Sequence, residues 1–116
     1  MSSTPELLTY SAVIDHAVKE FGSTQAIVDG ETRIDYSELG ARIDLSARAL
    51  IASGIDHGDR VAVWAPNIWE WVVSALSVLR VGAVLVPVNT RFKGREAAYV
   101  LQRANVKALF TVVGFL

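Results

Sequence analysis

The apolar positions at the start of the chain predict one helix and one hairpin. Apolar residues recur at helical spacing between Val13 and Phe21, and Gly22 follows them as a residue that commonly ends helices. The short segments 26–28 and 33–34 lie on either side of the pair Asp29-Gly30. Because that pair favours the tight turn between antiparallel strands, we expect a hairpin over these residues.

A second helix is predicted to begin at Asp35. Its carboxylate can accept hydrogen bonds from the first free N–H groups of the helix, and Glu38, three residues later, can reach back as in a capping box. Gly54 is predicted to end this helix. The expected buried stripe consists of Tyr36, Leu39, Ile43, Ala47 and Leu50.

From residue 61 the pattern changes to strands that alternate with helices. Residues 61–64 are continuously apolar, as expected of a parallel strand covered on both faces, and residues 83–88 and 108–113 predict two further strands. Asn67 is the expected N-cap of the third helix, which Gly82 ends. The third helix has the predicted stripe Ile68, Trp71, Val72, Ala75, Leu76 and Leu79, and the fourth has Ala97, Val100, Leu101 and Ala104.

Together these elements predict an α/β fold, in which an N-terminal helix and hairpin precede βαβαβ units with a parallel sheet and right-handed crossovers. The 116 residues suffice for one domain. Eleven basic and twelve acidic residues give a net charge of −1 without any block of like charge, so the basic footprint of a nucleic-acid-binding protein is missing. The absence of cysteine excludes disulfides and thiolate sites.

The chain is rich in apolar residues for its size. More than half of its residues are apolar or glycine, against about 45–50% in typical soluble domains. We therefore expect the first part of a larger protein, or a homo-oligomer formed through exposed apolar surface. The uncharged runs are too short for a membrane span and the first eight residues do not resemble a signal peptide, so we expect no transmembrane segment and a cytoplasmic location.

Few side chains suggest chemistry, and no glycine-rich phosphate loop is present. Asp56, His57 and Asp59 are close in sequence, but a metal site needs three or four converging ligands, so a solvated turn is favoured. Ser77, on the apolar third helix, is expected to serve close packing. Arg91 follows the second parallel strand, at the end of the sheet where open α/β proteins bind ligands, although a structural ion pair or a solvated side chain is favoured for it.

All three tryptophans, Trp64, Trp69 and Trp71, lie in the segment "VAVWAPNIWEWVV" at positions 61–73. Two helical residues are separated by about 200°, so Trp69 and Trp71 should point to opposite sides. We expect Trp71 to face the sheet and Trp69 to face a neighbouring subdomain or a dimer partner. Core packing is favoured over a base-stacking platform, which would need a basic groove beside it.

Three segments follow one another at spacings that resemble a known family. They are "IDYSELG" at 34–40, "GDRVAVWAPN" at 58–67 and "LRVGAVLVPVNTR" at 79–91. Together they resemble the N-terminal segment of the adenylate-forming AMP-binding superfamily, and the continuation "NTRFKGREAAYVLQRANVKALF" is similar to bacterial, especially actinobacterial, acyl-CoA synthetases. Asp35 replaces the Ser or Thr usual in the family, and Lys93-Gly94 replaces the Thr/Ser-Pro that often opens the fourth helix.

The resemblance implies a fatty-acid or carboxylic-acid–CoA ligase. Such an enzyme joins a small-molecule carboxylate to ATP as an acyl-adenylate, and coenzyme A then displaces AMP; the complete enzyme is implied to use ATP, Mg²⁺ and coenzyme A. The family's phosphate loop and C-terminal domain match nothing in residues 1–116. The resemblance therefore assigns no catalytic, cofactor-binding or metal-binding residue here and implies an inactive N-terminal part of the large domain. The alternative is a stand-alone, non-catalytic α/β binding or interaction module.

Overall fold

The computed structural model describes residues 9–112 and residue 115. Within these residues, four helices and five strands follow the predicted order. The elements are α1 (Tyr10–Phe21), β1 (Gln25–Asp29), β2 (Thr32–Asp35), α2 (Tyr36–Ala52), β3 (Arg60–Trp64), α3 (Trp69–Arg80), β4 (Val84–Pro87), α4 (Gly94–Arg103) and β5 (Ala108–Thr111).

The strands form a hairpin and a parallel sheet, which confirms the α/β prediction. β1 and β2 pair antiparallel around Gly30 and Glu31, so the turn lies one residue later than Asp29-Gly30. The parallel sheet has the order β4-β3-β5, with β3 in the centre. Residue 113, the predicted end of the last strand, lies outside the described residues. None of the helices in the described part of the chain combines the length and apolar character needed to cross a membrane.

Burial of β3 on both faces joins the sheet to its two layers of helices. Val61, with no exposed surface, packs among residues of α2, α3 and the chain entering β4. Ala62 and Trp64, which point to the other face, pack against α4 through Ala97. A third cluster lies among α1, α2, β2 and α3 and consists of Ile14, Ile34, Leu39, Ile43 and Val73. The prediction from the continuous apolar run, a strand covered on both sides, is therefore confirmed.

The cap of α2 confirms half of its prediction. Asp35 Oδ1 accepts a hydrogen bond from the Glu38 N–H at 2.8 Å, as expected of an N-cap carboxylate. The reciprocal bond of a capping box is not formed, because the Glu38 carboxylate instead accepts from Arg42 Nη2, one turn later on the exposed face. Asp35 therefore begins the helix without help from Glu38.

The C-termini of α2, α3 and α4 share one geometry, in which a residue with positive φ reverses the chain and the next N–H bonds back to the helix. The left-handed residues are Gly54, Gly82 and Asn105, and the returning bonds run from Ile55 to Leu50, from Ala83 to Val78 and from Val106 to Leu101. Gly54 and Gly82 confirm the predicted helix ends, whereas Asn105 was not identified from the sequence.

Gly22 ends α1 for a different reason. Its φ of −47° is open to any residue, but a Cβ there would lie 2.6 Å from Ser37 Oγ and 2.8 Å from the Val18 carbonyl oxygen. The helix therefore stops where the chain passes close to the start of α2. Steric room, rather than backbone freedom, requires glycine at this position.

The predicted cap of α3 is wrong. The helix begins at Trp69 with Ile68 as its N-cap residue, and no side chain at the cap position makes a bond. The Trp69 N–H instead donates to Asp29 Oδ2 at 3.0 Å, so a carboxylate of the hairpin takes the role expected of Asn67. A carboxylate satisfies the free N–H and also complements the positive end of the helix dipole.

The predicted apolar stripe of α3 is only partly correct. Of the residues in the predicted stripe, only Ala75 is buried. The other buried residues of α3 are not in that stripe, and they are Val73, Ser77 and Val78. The reason is that α3 contacts α1 and α2 on one side and the sheet on the other, so Val73 belongs to the cluster of helices and Val78 to the sheet cluster. A helix buried on two sides has no single stripe.

Arg80 joins the three N-terminal helices at the end of α3. Its Nε lies 2.8 Å from Asp44 of α2 and its Nη2 lies 2.9 Å from Asp15 of α1, while the Ser11 hydroxyl donates to its carbonyl oxygen. The side chain is only 22% exposed. Among the described residues, its buried Nη1 has no hydrogen-bond partner. One guanidinium thus fixes the distances among three helices.

Asp59 fixes the loop that leads into β3. Its carboxylate accepts the Asp56 N–H at 2.7 Å and lies 3.0 Å from Lys107 Nζ. The Asp56 N–H and then the Lys107 ammonium stabilise the charged form and hold the pKa of Asp59 below its usual range. Lys107 also donates to the Gly54 carbonyl oxygen, so these bonds connect the loops before β3 and before β5.

We expect Arg80→Met to lower the free energy of unfolding by about 1–2 kcal/mol, because the network of ion pairs joining α1, α2 and α3 is lost. Urea denaturation measures the change. Arg48→Met is the control, because Arg48 is exposed and forms no ion pair with any residue in 9–112. Equal stability losses in the two variants would contradict a structural role for the Arg80 network.

The low pKa of Asp59 predicts a specific loss of stability in acid. Its charge contributes stability above the unfolded-state pKa near 3.8, and this contribution is lost as the pH falls from there through the lower folded-state pKa. The stability difference between the wild type and Asp59→Asn should therefore shrink across that range in urea titrations at successive pH values. The control is Asp56→Asn, because the Asp56 carboxylate accepts no bond within the described residues, and this variant should be destabilised less than Asp59→Asn at neutral pH.

Candidate functional site

The carboxyl ends of β3, β4 and β5 meet at one edge of the sheet, where open α/β folds bind ligands. Trp64 ends β3, and its Nε1 donates to the Asn89 carbonyl oxygen at 3.2 Å. The Thr111 hydroxyl at the end of β5 donates to the Trp64 carbonyl oxygen at 2.8 Å. The side chains of Trp64 and Thr111 therefore bond to main-chain oxygens of neighbouring segments, and these bonds fix the carboxyl edge.

Arg91 lies at this edge, as its position after β4 predicts. Its N–H donates to Asn89 Oδ1 at 2.9 Å, which forms a compact turn after the strand. The residue is exposed, and its guanidinium takes part in no ion pair with the residues that the structure describes. Of the two favoured interpretations of Arg91, a solvated side chain is therefore confirmed. A structural ion pair is not observed among the described residues.

Trp64 is a core residue, in agreement with the favoured interpretation of the tryptophans. It is 5% exposed, and its ring centroid lies 4.9 Å from that of Phe115. The indole N–H has a main-chain acceptor, as a buried tryptophan requires. Trp64 therefore stabilises the carboxyl edge as a buried core residue, and its ring has no exposed face for a ligand.

Trp69 packs against elements of this chain, and the predicted contact with a neighbouring subdomain or a dimer partner stays a prediction. Its half-buried side chain packs against the cluster of α1, α2 and β2, and the guanidinium of Arg42 lies 4.6 Å from its ring centroid. The expected direction, away from the parallel sheet, is correct. α2 and the hairpin cover part of that side of α3, and Trp69 also borders an open groove there.

Trp69 and Trp71 border one groove although they lie on different sides of the first turn. The groove has a volume of about 300 Å³ and separates β1 from the start of α3. Its lining is Ile27, Val28, Asp29, Asn67, Ile68, Trp69, Trp71 and Val72. Because the Asp29 carboxylate already accepts the Trp69 N–H, the groove offers apolar surface and few free polar groups. It therefore lacks the converging polar groups of an active site.

A cavity of about 450 Å³ lies at the opposite, amino end of the sheet and includes Asp59, Arg60 and Lys107. The polar groups of these residues are engaged in structural bonds, such as that from Arg60 Nη1 to the Ala104 carbonyl oxygen. The predicted solvated turn at Asp56, His57 and Asp59 lies here, and His57 packs closely against Gly82. The side chains at this end join loops to one another.

Ser77 is placed as expected. It is fully buried, and its hydroxyl donates to the Val73 carbonyl oxygen of the preceding turn at 2.5 Å. The Ile43 carbonyl oxygen of α2 lies 3.4 Å away. A hydroxyl so placed permits close contact between α2 and α3 and cannot reach a substrate.

Two features of the described residues bear on nucleotide and metal binding, namely the grouping of possible metal ligands and the role of the glycines. No three His, Cys, Asp or Glu residues among them are grouped as metal ligands. Their glycines with positive φ serve the hairpin turn, the ends of α2 and α3, and the loop before β3, and none belongs to a run of N–H groups around a phosphate. We therefore assign no step of ATP or Mg²⁺ chemistry to these residues.

Comparison with known proteins identifies the family. Residues 14–115 match the family of AMP-binding enzymes. A Rhodococcus jostii protein named 3-[(3aS,4S,7aS)-7a-methyl-1,5-dioxo-octahydro-1H-inden-4-yl]propanoyl:CoA ligase is 39% identical over 113 residues, 97% of this chain and 22% of its own length. A Mycobacterium tuberculosis protein of the same name is 39% identical over 96% of this chain. The chain thus spans about a fifth of these relatives.

Solved structures agree with this assignment. The inhibitor-bound N-terminal domain of FACL13 from Mycobacterium tuberculosis superposes with a TM-score of 0.85 and 28% identity, over 89% of this chain and 26% of that one. The N-terminal subdomain of Klebsiella oxytoca NpsA with 3-hydroxyanthranilyl-AMSN gives a TM-score of 0.88 at 26% identity, over 96% and 29%. By sequence and by fold, this chain belongs to the AMP-binding enzyme family and is homologous to the N-terminal part of acyl-CoA ligases.

Proposed function

We propose that this chain is the N-terminal part of a carboxylic acid–CoA ligase. The complete enzyme would join a carboxylate to ATP as an acyl-adenylate with release of diphosphate, and the thiol of coenzyme A would then displace AMP. The observation that carries the proposal is the 39% identity to two CoA ligases over nearly the whole chain. Use of ATP and coenzyme A follows from the family, and use of Mg²⁺ is part of the proposal.

Within that enzyme, residues 1–116 serve as scaffold for the large domain. The hydrogen bonds of Trp64, Asn89 and Thr111 hold the carboxyl edge of the sheet in one arrangement. None of these bonds uses a charged side chain. The groups that bind nucleotide, metal and thiol are proposed to lie outside this chain, because its described residues provide neither a phosphate loop nor a metal-ligand cluster. An intracellular, cytoplasmic location suits a reaction that uses these cofactors.

For the substrate, we propose an apolar fused-ring propanoic acid. Both ligases at 39% identity are named for a 7a-methyl-dioxo-octahydroindenyl propanoate, whereas the medium-chain acyl-CoA ligase of rat is 29% identical. The two ligases thus share more of their N-terminal scaffold with this chain. The alternative, a stand-alone binding module, would need a free group that binds a partner, and the exposed side chain of Arg91 at the carboxyl edge is one candidate.

We expect carboxylate-dependent ATP–diphosphate exchange from the complete protein and none from the 116-residue chain alone, because we propose that the groups that act on phosphate lie elsewhere in the enzyme. The measurement is incorporation of labelled diphosphate into ATP, with circular dichroism as the control that the short chain is folded. Exchange by the folded 116-residue chain would show that the phosphate-binding groups lie within it, against this proposal.

Among substrates, the fused-ring propanoic acid should give the highest kcat/KM of the complete protein. Medium-chain fatty acids and benzoic acids of similar size should be poorer by about tenfold or more, which corresponds to about 1.4 kcal/mol of lost transition-state binding. Formation of AMP in the presence of coenzyme A measures each rate. A preference for the fatty acids would contradict the substrate assignment while leaving the ligase activity intact.

A further inference from the structure

The segment from Arg91 to Lys107 is strongly basic in a chain whose net charge is −1. It contains five basic residues and a single acidic one, Glu96. The basic residues are separated in sequence, so no charge block is visible, but most belong to α4 or to the loop before it. Secondary structure is therefore needed to show where these charges lie relative to one another.

α4 carries two arginines and a tyrosine along one exposed side. Arg95, Tyr99 and Arg103 are spaced four residues apart, which places them along the same side of a helix, and all three are exposed. The opposite side is fixed in the core, where Ala97 is 1% exposed and packs with Trp64. We call the surface formed by Arg91, Lys93, Arg95, Tyr99 and Arg103 the α4 basic face.

The cations of the α4 basic face are free of ion pairs with the residues in 9–112 and 115. The one nearby acid, Glu96, uses its carboxylate to accept the Lys93 N–H at the start of the helix. Tyr99 is 63% exposed, and the guanidinium of Arg103 lies 6.0 Å from its ring centroid. Four exposed cations thus lie on α4 or in the loop immediately before it, and the exposed ring of Tyr99 lies between Arg95 and Arg103 along the helix.

We propose that the α4 basic face binds the surface of an anionic lipid membrane. A cluster of four or more Lys and Arg on an amphipathic helix is typical of surfaces that recognise acidic headgroups, and an exposed tyrosine suits the membrane–water interface. Since the apolar side of α4 is buried in the core, the helix cannot insert, and the contact is electrostatic and sensitive to salt. Arg91 belongs both to this face and to the carboxyl edge, so binding brings that edge close to the membrane.

Lipid is favoured over nucleic acid by the shape of this surface. Proteins that bind single strands combine a basic groove with flat aromatic platforms on which bases stack. Here the charges lie on the outside of α4 and in the loop before it, and Arg103 already approaches the ring of Tyr99. The proposal goes beyond the ligase activity and does not depend on it.

The test is partitioning of the complete protein into vesicles, measured by co-sedimentation. We expect binding to phosphatidylcholine vesicles that contain phosphatidylglycerol, little binding to phosphatidylcholine alone, and loss of binding at high salt. Each cation near an anionic surface contributes about a fivefold gain in partitioning, so Arg95→Gln/Arg103→Gln should bind about 25-fold more weakly. If this variant folds poorly by circular dichroism, Arg103→Gln alone should bind about fivefold more weakly.

The matched control is Arg33→Gln/Arg48→Gln, which removes the same charge from exposed positions of β2 and α2. It should partition within about twofold of the wild type, because both positions lie on other elements. Equal binding to neutral vesicles, or equal loss in the two double variants, would overturn the proposal. So would an Arg95→Gln/Arg103→Gln variant that loses binding to a single-stranded oligonucleotide while keeping its vesicle binding.

Discussion

Burial of β3 on both faces is the constraint on which the other elements depend. Its side chains alternate between two clusters, with Val61 on the side of α3 and with Ala62 and Trp64 on the side of α4. Such a strand is stable only where both faces are covered and both edges are paired, and β4 and β5 supply the pairing. The hairpin, α1 and α2 in turn depend on α3, which covers the sheet on one side and the N-terminal cluster on the other.

The two ends of the parallel sheet are stabilised by different interactions. At the amino end, Asp59 and Lys107 join the loops that enter the strands by charged side chains. At the carboxyl end, Trp64, Asn89 and Thr111 form neutral bonds between side chains and main chain. Because these bonds are neutral, they fix the carboxyl edge without placing a charge there. The exposed Arg91 does place a charge at this edge. That arrangement suits the scaffold role that we propose for this chain.

Several features of the fold and the site could be predicted because they depend on neighbours in sequence. Asp35 caps α2 through a residue three positions away, and Gly54 and Gly82 reverse the chain immediately after their helices. The position of Arg91 at the carboxyl edge followed from the order of strands alone. The family was also accessible, because three short motifs kept their spacing.

Other features required contacts between distant residues. The sequence by itself determined where helices and strands form, that β3 is buried, and that the chain belongs to the AMP-binding enzyme family, since local periodicity and motif spacing carry that information. Only the tertiary structure decided that Asp29 rather than Asn67 satisfies the start of α3, that Trp69 packs under Arg42, and that Arg95 and Arg103 lie exposed along one side of α4. The physical reason is that these outcomes depend on which surfaces meet after folding, and residues forty positions apart leave no periodic signal of their contact.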